Sequence, residues 1–186
     1  MKILKKFPDS LFELKSTYTL AAVGMLLALR VIVGYLANST LPIFNNTVKI
    51  SINFLPIAVA ALLFGPVSAA LVGGLGDVIS FFLNPTGGAY FPGFTLNGIL
   101  TGLILGIFLY KNNCRPLPVI ISWTINALFV EVFLSGYWLY FIYGAGHSDS
   151  FLAFLWIRAI SEAIKFVPTV LLIIAVGKAA GKIKLR

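Results

Sequence analysis

The stretch FLPIAVAALLFGPVSAALVGGLGDVISFFL, residues 54–83, decides the fold class. It contains two apolar runs joined by Gly65-Pro66, and Asp77 is its single charged residue. The strands of a membrane barrel would alternate polar and apolar residues, and neither run does so. Backbone inside a bilayer must satisfy its own hydrogen bonds, which leaves helices as the remaining solution. These residues therefore predict two membrane-embedded helices joined by a tight turn.

The composition of the whole chain also indicates a lipid environment. Of the 186 residues, 59% are hydrophobic and 11% are charged, and the mean hydropathy is +0.98. A soluble domain carries roughly 25% charged residues. The net charge of +8 comes largely from basic residues at the ends of apolar runs, which is typical of membrane proteins and does not indicate nucleic-acid binding. The single cysteine, Cys114, excludes an intramolecular disulfide.

Six apolar runs predict an all-α integral membrane protein with six transmembrane helices. The predicted spans are residues 17–37, 50–64, 67–83, 93–110, 117–142 and 151–176, and the second is short for a hydrocarbon core about 30 Å thick. Residues 1–16 are predicted to form a cytoplasmic basic tail or an interfacial helix. Residues 17–180 form the predicted six-helix membrane domain, and residues 181–186 a cytoplasmic basic tail.

The basic residues outside the spans predict the orientation. The three loops 38–49, 84–92 and 143–150 contain one basic residue, Lys49. The opposite side collects Lys2, Lys5, Lys6, Lys15, Lys111, Arg115, Lys178, Lys182, Lys184 and Arg186. Because cytoplasmic segments are enriched in lysine and arginine, both termini are predicted to be cytoplasmic.

Six charged residues fall inside the predicted spans. A charge at the centre of a membrane helix costs about 2.5–3.5 kcal/mol on insertion scales, so each one requires a partner, a cavity or a ligand. Counted from the helix ends, most of them lie at similar depth toward the outer side, which predicts a polar pocket open to the outside. The alternative is internal pairing, of Arg158 with Glu162 or of Arg30 with Asp77 or Glu131. The six are Arg30, Asp77, Glu131, Arg158, Glu162 and Lys165.

Polar and aromatic residues near the outer ends of the spans extend the predicted pocket. Asn53 and Asn97 are predicted to face it, although hydrogen bonding between helices would also explain them. Tyr90, Phe94 and Trp138 suit a flat heteroaromatic ligand, and an interfacial aromatic belt is the alternative.

Small residues at every fourth position predict close helix contacts. Three stripes show this spacing: Gly98, Gly102 and Gly106; Ala69, Gly73 and Asp77; and Gly24 with Ala28.

The sequence lacks the motifs of an enzyme. The stretch GKAAGKI, residues 177–183, has neither the spacing nor the final hydroxyl residue of a phosphate-binding loop, so the chain cannot supply its own ATP hydrolysis. Its one histidine, His147, lies in a predicted outer loop, which leaves no histidine-based metal cluster or catalytic triad. No cofactor or metal is therefore predicted.

Residues 24–111 resemble the S components of energy-coupling-factor (ECF) vitamin transporters, and most closely the folate-specific branch. The similarity lies in GMLLALRVIVGYL at residues 24–36, in the Phe64-Gly65-Pro66 turn and in NPTGGAYFPGFT at residues 84–95. It implies a bacterial plasma-membrane protein that captures a vitamin outside and releases it inside. It also implies as partners a transmembrane coupling (T) subunit and two ATPase subunits. The family contacts the T subunit through an Ala-x-x-x-Ala motif on the first span, and Gly24-x-x-x-Ala28 is the match here.

The resemblance predicts folate as the ligand, with no further cofactor. Asp77, assisted by Asn97 or Asn53, is the predicted partner of the pterin ring. Arg30, Arg158 or Lys165 is predicted to neutralise the two carboxylates of the glutamate tail. Tyr90, Phe94 and Trp138 are predicted to stack on the rings. The alternatives are an S component for riboflavin, thiamin or pantothenate, an autonomous channel or ion-coupled carrier, and a membrane enzyme or assembly protein.

Overall fold

The computed structural model describes residues 2–37, 52–83, 90–112, 115–141 and 150–184, and within these ranges it contains helices and no strands. The predicted outer loops lie almost entirely outside these ranges. The helices are α1 (Lys2–Glu13), α2 (Thr17–Ala37), α3 (Phe54–Phe64), α4 (Pro66–Leu83), α5 (Pro92–Leu109), α6 (Pro116–Ile125), a π-helix (Asn126–Leu134), α7 (Ser135–Phe141) and α8 (Phe151–Lys184).

Within the described residues, five helical segments are long and apolar enough to cross a membrane: Thr17–Tyr35, Pro66–Leu83, Pro92–Leu109, Pro116–Phe141 and Phe151–Ala180. The segment predicted as residues 50–64 is the exception, because its helix α3 begins at Phe54 and has 11 residues. At 1.5 Å per residue α3 is about 16 Å long, roughly half the thickness of a hydrocarbon core. Helix α8 differs in the other direction, since it continues beyond the predicted end at Val176 to Lys184.

Helices α4 and α5 touch through their backbones along the predicted glycine stripe. A Cβ atom added to Gly73 would lie 2.1 Å from the Gly98 carbonyl oxygen, and one added to Gly102 would lie 2.4 Å from the Ala69 carbonyl oxygen. Because the contacts run forward along one helix and backward along the other, α4 and α5 are antiparallel. The interpretation of this stripe as a close packing face is confirmed.

Helix α2 runs parallel to α4. A Cβ atom on Gly76 would lie 2.3 Å from Cδ of Arg30, and one on Gly34 would lie 3.4 Å from Oγ of Ser80. Gly76 thus provides the space in which the Arg30 side chain lies against α4. The core of the bundle lies between α3, α4, α5 and α8, where buried residues include Ile57, Val72, Leu105 and Ile173.

The N-terminal helix α1 is anchored at the turn between α3 and α4. Ser10 is fully buried, and its hydroxyl donates a hydrogen bond of 2.6 Å to the Phe64 carbonyl at the end of α3. The same oxygen accepts from the Val67 amide at 3.3 Å. Gly65 has a φ of 87°, a left-handed conformation that favours glycine. A Cβ atom there would also lie 2.9 Å from Ser10, so the turn and α1 fit together only with glycine at this position.

Helix α1 also contacts the end of α5. The Lys6 ammonium donates to the carbonyls of Ile107 at 2.8 Å and Tyr110 at 2.9 Å, a favourable position for a cation at a helix C-terminus. The Tyr110 hydroxyl donates to the Glu13 carboxylate at 2.9 Å. Burial and, to a smaller extent, the charge of Lys111 lower the pKa of Lys6. These contacts pack α1 against the bundle, and the predicted cytoplasmic or interfacial position of residues 1–16 stays a prediction.

The segment from Pro116 to Phe141 is helical throughout but changes its hydrogen-bonding pattern in the middle. Between Asn126 and Leu134 it is a π-helix, in which amides bond to carbonyls five residues back. At its end the Ser135 amide donates to the carbonyls of Val130 and Val132. In an α-helix the same amide would donate to the Glu131 carbonyl. The pattern of apolar residues gave no indication of this irregularity.

Candidate functional site

A cavity of about 340 Å³ lies among the helices, within the size range of small-molecule sites. It lies at the start of the short helix α3, which contributes Phe54 and Ile57 to the lining. Every helix from α2 to α8 contributes to the wall. The described lining residues are Arg30, Asn53, Phe54, Ile57, Asp77, Phe94, Asn97, Gly98, Thr101, Trp123, Glu131, Ser135, Leu139, Arg158, Glu162, Lys165 and Thr169.

Nine of the eleven predicted ligand residues line this cavity. They are Arg30, Asn53, Asp77, Phe94, Asn97, Glu131, Arg158, Glu162 and Lys165. All six charged residues of the predicted spans are therefore brought to one place, as expected from the cost of isolating them in lipid. The described lining does not include the other two, Tyr90 and Trp138.

Arg30 is a buried cation that forms no ion pair with a described residue, although the charge of Asp77 acts on it from beyond ion-pair distance. Its side chain is 9% exposed, and Nη1 is buried with no hydrogen-bond acceptor within the described ranges. The predicted alternative, an ion pair of Arg30 with Asp77 or Glu131, does not form between these described side chains. A buried guanidinium carries five donors and is costly to leave unpaired. Arg30 therefore offers an unused anion-binding group on the cavity wall.

Asp77 has a polar neighbour of its own. The Thr95 hydroxyl donates to Oδ2 of Asp77 at 2.8 Å. The Tyr90 hydroxyl lies 2.7 Å from the same Thr95 oxygen. Tyr90 thus contacts the cavity indirectly, through Thr95 and Asp77, while its ring packs against Phe81 at a centroid distance of 5.2 Å.

The charged residues of α8 pair differently from the predicted alternative. Glu162 forms its ion pair with Lys165, one turn further along the helix, and not with Arg158. Arg158 instead donates from Nη2 at 2.9 Å and from Nε at 3.3 Å to the backbone carbonyl of Glu131. No described residue donates a hydrogen bond to the carboxylate of Glu131, which lines the cavity.

Asn97 joins α5 to α7. Its Nδ2 donates to the Ser135 hydroxyl at 2.8 Å, so the interpretation of Asn97 as a hydrogen bond between helices is confirmed. Its Oδ1 is buried without a donor from the described residues. Asn97 therefore both links two helices and leaves one acceptor for a ligand.

Several lining residues were not predicted. Phe54 and Trp123 form an aromatic pair with ring centroids 5.1 Å apart on the cavity wall. Thr101, Ser135 and Thr169 are hydroxyl residues that each lie four positions after a predicted residue, namely Asn97, Glu131 and Lys165. Since residues four apart share a helix face, extending each predicted position by one turn would have found these three.

Trp138, like Tyr90, is absent from the described lining, and it belongs to an aromatic cluster next to the cavity. Its ring lies 5.2 Å from Phe91, and Phe91 lies 6.0 Å from the lining residue Phe94. The Trp138 indole nitrogen is buried and has no acceptor within the described ranges.

Comparison with known proteins gives the family of the chain. A family profile described as "ECF transporter, substrate-specific component" matches residues 18–177. The chain belongs to this family. The prediction from the sequence resemblance is confirmed, and the protein is a transporter component.

Two curated relatives and one solved structure are similar to this S component. Folate transporter FolT of Clostridium novyi (strain NT) is 32% identical over 126 residues, which cover 68% of this chain and 70% of the relative. Folate transporter FolT of Leuconostoc mesenteroides subsp. mesenteroides is 28% identical over 158 residues, covering 83% and 82%. A crystal structure described as FolT bound with folic acid has a TM-score of 0.69 and 29% identity, covering 90% of this chain and 94% of that one.

The predicted partner-binding residues of this S component lie on an open face of α2. Gly24 and Ala28 are both exposed, and a Cβ atom added to Gly24 would have no heavy atom within 4 Å. Arg30 projects from another face of the same helix and is buried. Helix α2 therefore presents two small residues on its outer side and the charged Arg30 on its inner side.

Proposed function

We propose that this chain is the folate-binding S component of an ECF transporter, which captures folate outside and releases it inside when partner ATPases drive it. The observation that carries the proposal is the buried Nη1 of Arg30, which has no acceptor among the described residues and lies on the same cavity wall as the carboxylate of Glu131. Folate presents the complementary groups, since its pterin has a donor edge and its glutamate tail has two carboxylates. The curated relatives are named as folate transporters, and the similar solved structure is described as holding folic acid.

Arg30 is the proposed receptor for a carboxylate of the tail. Its guanidinium matches the two oxygens of a carboxylate, and the ligand would supply the acceptor that Nη1 lacks among the described residues. Lys165 is a weaker choice because it already pairs with Glu162. Arg158 is engaged with the Glu131 carbonyl.

Glu131 is the proposed receptor for the donor edge of the pterin. A carboxylate accepts two parallel hydrogen bonds, which suits adjacent amino and ring N–H groups. We prefer Glu131 to the predicted Asp77, because Asp77 already accepts a hydrogen bond from Thr95. Asp77 and Asn53 line the same cavity and are proposed to contact polar atoms along the ligand.

Aromatic residues of the cavity are proposed to contact the faces of the folate rings. Phe54, Trp123 and Phe94 line the cavity and offer the apolar surface that a pterin or benzoyl ring requires. Tyr90 and Trp138 are proposed to act next to this surface, Tyr90 through Thr95 and Trp138 through Phe91.

The proposed membrane placement has six spanning segments, with the short α3 as the second. It retains the domains 1–16, 17–180 and 181–186, with both termini in the cytoplasm and the protein in the bacterial plasma membrane. The five long apolar helices and the one-sided distribution of lysine and arginine support it. Cysteine-labelling of single substitutions in intact cells tests it: positions in 181–186 should react only after the membrane is made permeable.

The proposed partners are a T subunit and two ATPase subunits, with Gly24 and Ala28 on the contact surface. Family membership and the exposure of both residues support this assignment. As a transport subunit, the chain has no proposed catalytic residues and no cofactor other than its ligand.

The experiment for the ligand uses purified protein in detergent or nanodiscs. Mass spectrometry of the small molecules that co-purify should detect folate at close to one molecule per chain, and added folate should bind in competition. Riboflavin, thiamin and pantothenate serve as controls, and retention of one of them in place of folate would contradict the proposal. Uptake into vesicles that lack ATPase subunits, driven by an ion gradient, would indicate the alternative of an ion-coupled carrier.

A further inference from the structure

The π-helix leaves the Glu131 carbonyl without its usual α-helical donor. In an α-helix the Ser135 amide would donate to this carbonyl, but here it donates to the carbonyls of Val130 and Val132. The carbonyl is instead bound by Arg158 of α8, through Nη2 at 2.9 Å and Nε at 3.3 Å. The π-helix therefore removes the usual donor of the Glu131 carbonyl oxygen, and Arg158 donates to this oxygen instead.

Gly136 gives α8 access to this carbonyl. A Cβ atom on Gly136 would lie 2.7 Å from a methyl carbon of Leu155, 3.5 Å from Cδ of Arg158 and 3.9 Å from its Nε. Without a side chain at this position, α8 approaches α7 closely enough for the guanidinium to reach the backbone. Because Nε and Nη2 both donate to one oxygen, the planar group fixes the orientation of that backbone segment.

We propose that Arg158 is a positioning residue, which holds the backbone of Glu131 so that the Glu131 carboxylate faces the ligand, and which does not itself neutralise the ligand tail. The inference rests on the proposed function and extends it. The two arginines of the cavity then have different roles. Arg30, whose Nη1 has no acceptor among the described residues, receives the tail, and Arg158 orients the carboxylate that receives the pterin.

A matched pair of ligands distinguishes the two roles. Folate and its diamide, in which both tail carboxylates are converted to amides, share the pterin and benzoyl groups and differ in the tail charge. Isothermal titration of Arg158→Gln should show the same loss of affinity for both ligands, roughly 10- to 150-fold, the range expected for a lost hydrogen bond to a charged group. Arg30→Gln should lose affinity for folate and leave that for the diamide within about threefold.

Arg158→Lys is the milder variant and keeps the charge in the cavity. We expect a smaller loss that is again equal for the two ligands, because an ammonium cannot reproduce the paired donation to one carbonyl. Circular dichroism and thermal unfolding check that each variant is folded. A loss for folate alone in either Arg158 variant would overturn the proposal, and so would unchanged affinity for both ligands.

A double-substitution cycle tests the connection to Glu131. In a Glu131→Gln background, Arg158→Gln should reduce folate affinity by less than about threefold further, since the group that it orients is already altered. Independent, multiplying losses would contradict the positioning role. If the unsubstituted protein bound neither ligand, the proposed function itself would fail, and this outcome is distinguishable from the others.

Discussion

The substitution Gly76→Ala tests whether the position of the Arg30 side chain controls ligand binding. The new methyl group would lie 2.3 Å from Cδ and 2.5 Å from Nε of Arg30, whereas ordinary contact begins near 3.4 Å. The arginine must therefore move by about 1 Å or more. Because the donor–acceptor distance of a hydrogen bond varies only between about 2.7 and 3.2 Å, a shift of this size breaks the contact with the ligand. Losing one charge-assisted contact costs about 1.5–3 kcal/mol, so folate affinity should fall roughly 10- to 150-fold.

The control for this prediction is Gly24→Ala, the same chemical change on the neighbouring helix α2. No heavy atom lies within 4 Å of its added carbon, so folate affinity should be unchanged. Both variants should unfold near the temperature of the parent, because the obstacle at Gly76 is a flexible side chain and not backbone. Combining Gly76→Ala with Arg30→Gln should add little to the loss caused by Arg30→Gln alone. Full affinity in a folded Gly76→Ala protein would refute the assignment of Arg30 to the ligand.

Three other substitutions separate stability, ligand binding and partner binding. Gly73→Ala places a carbon 2.1 Å from a backbone carbonyl of α5, so it should destabilise the protein by about 1–3 kcal/mol or more and lower its unfolding temperature in detergent. A stability equal to that of the parent would show that α4 and α5 can separate freely. Ser10→Ala removes the donor to the Phe64 carbonyl, and a loss of about 1–3 kcal/mol with unchanged folate affinity is expected, because the contact is remote from the cavity. Reduced affinity would indicate coupling between α1 and the site. Ala28→Trp should retain folate but no longer co-purify with a T subunit, since it adds bulk to an exposed, smooth face; continued co-purification would argue against this surface.

The sequence predicted the class of fold and most of the cavity because both depend on the cost of placing polar groups in lipid. That cost applies to each polar residue separately, so it can be assessed from the sequence alone. Arg30, Asp77 and Glu131 were predicted at similar depth from their distances to the helix ends, and the structure brings them to one cavity. The glycine stripe of α5 was predictable for a related reason, since a four-residue repeat of glycine has few explanations other than close packing.

The contact of Arg158 with the Glu131 carbonyl could not be predicted, because it depends on a change of helical period. The π-helix between Asn126 and Leu134 shifts the hydrogen bonds of that turn and leaves the Glu131 carbonyl to Arg158. No residue pattern in the sequence marks this change. The aromatic pair Phe54 and Trp123 was missed for another reason: both lie in apolar runs, where packing and lining residues have the same composition.

The backbone contact between α4 and α5 also bears on how the molecule can change shape. Where side chains separate two helices, rotamer changes can absorb a sliding motion, but Gly73 and Gly98 meet with no side chain between them. These two helices should consequently move as a single stiff unit. Any deformation that accompanies loading or discharge would then fall to the other helices, among them α8 and the π-helical segment, which Arg158 joins through the Glu131 carbonyl.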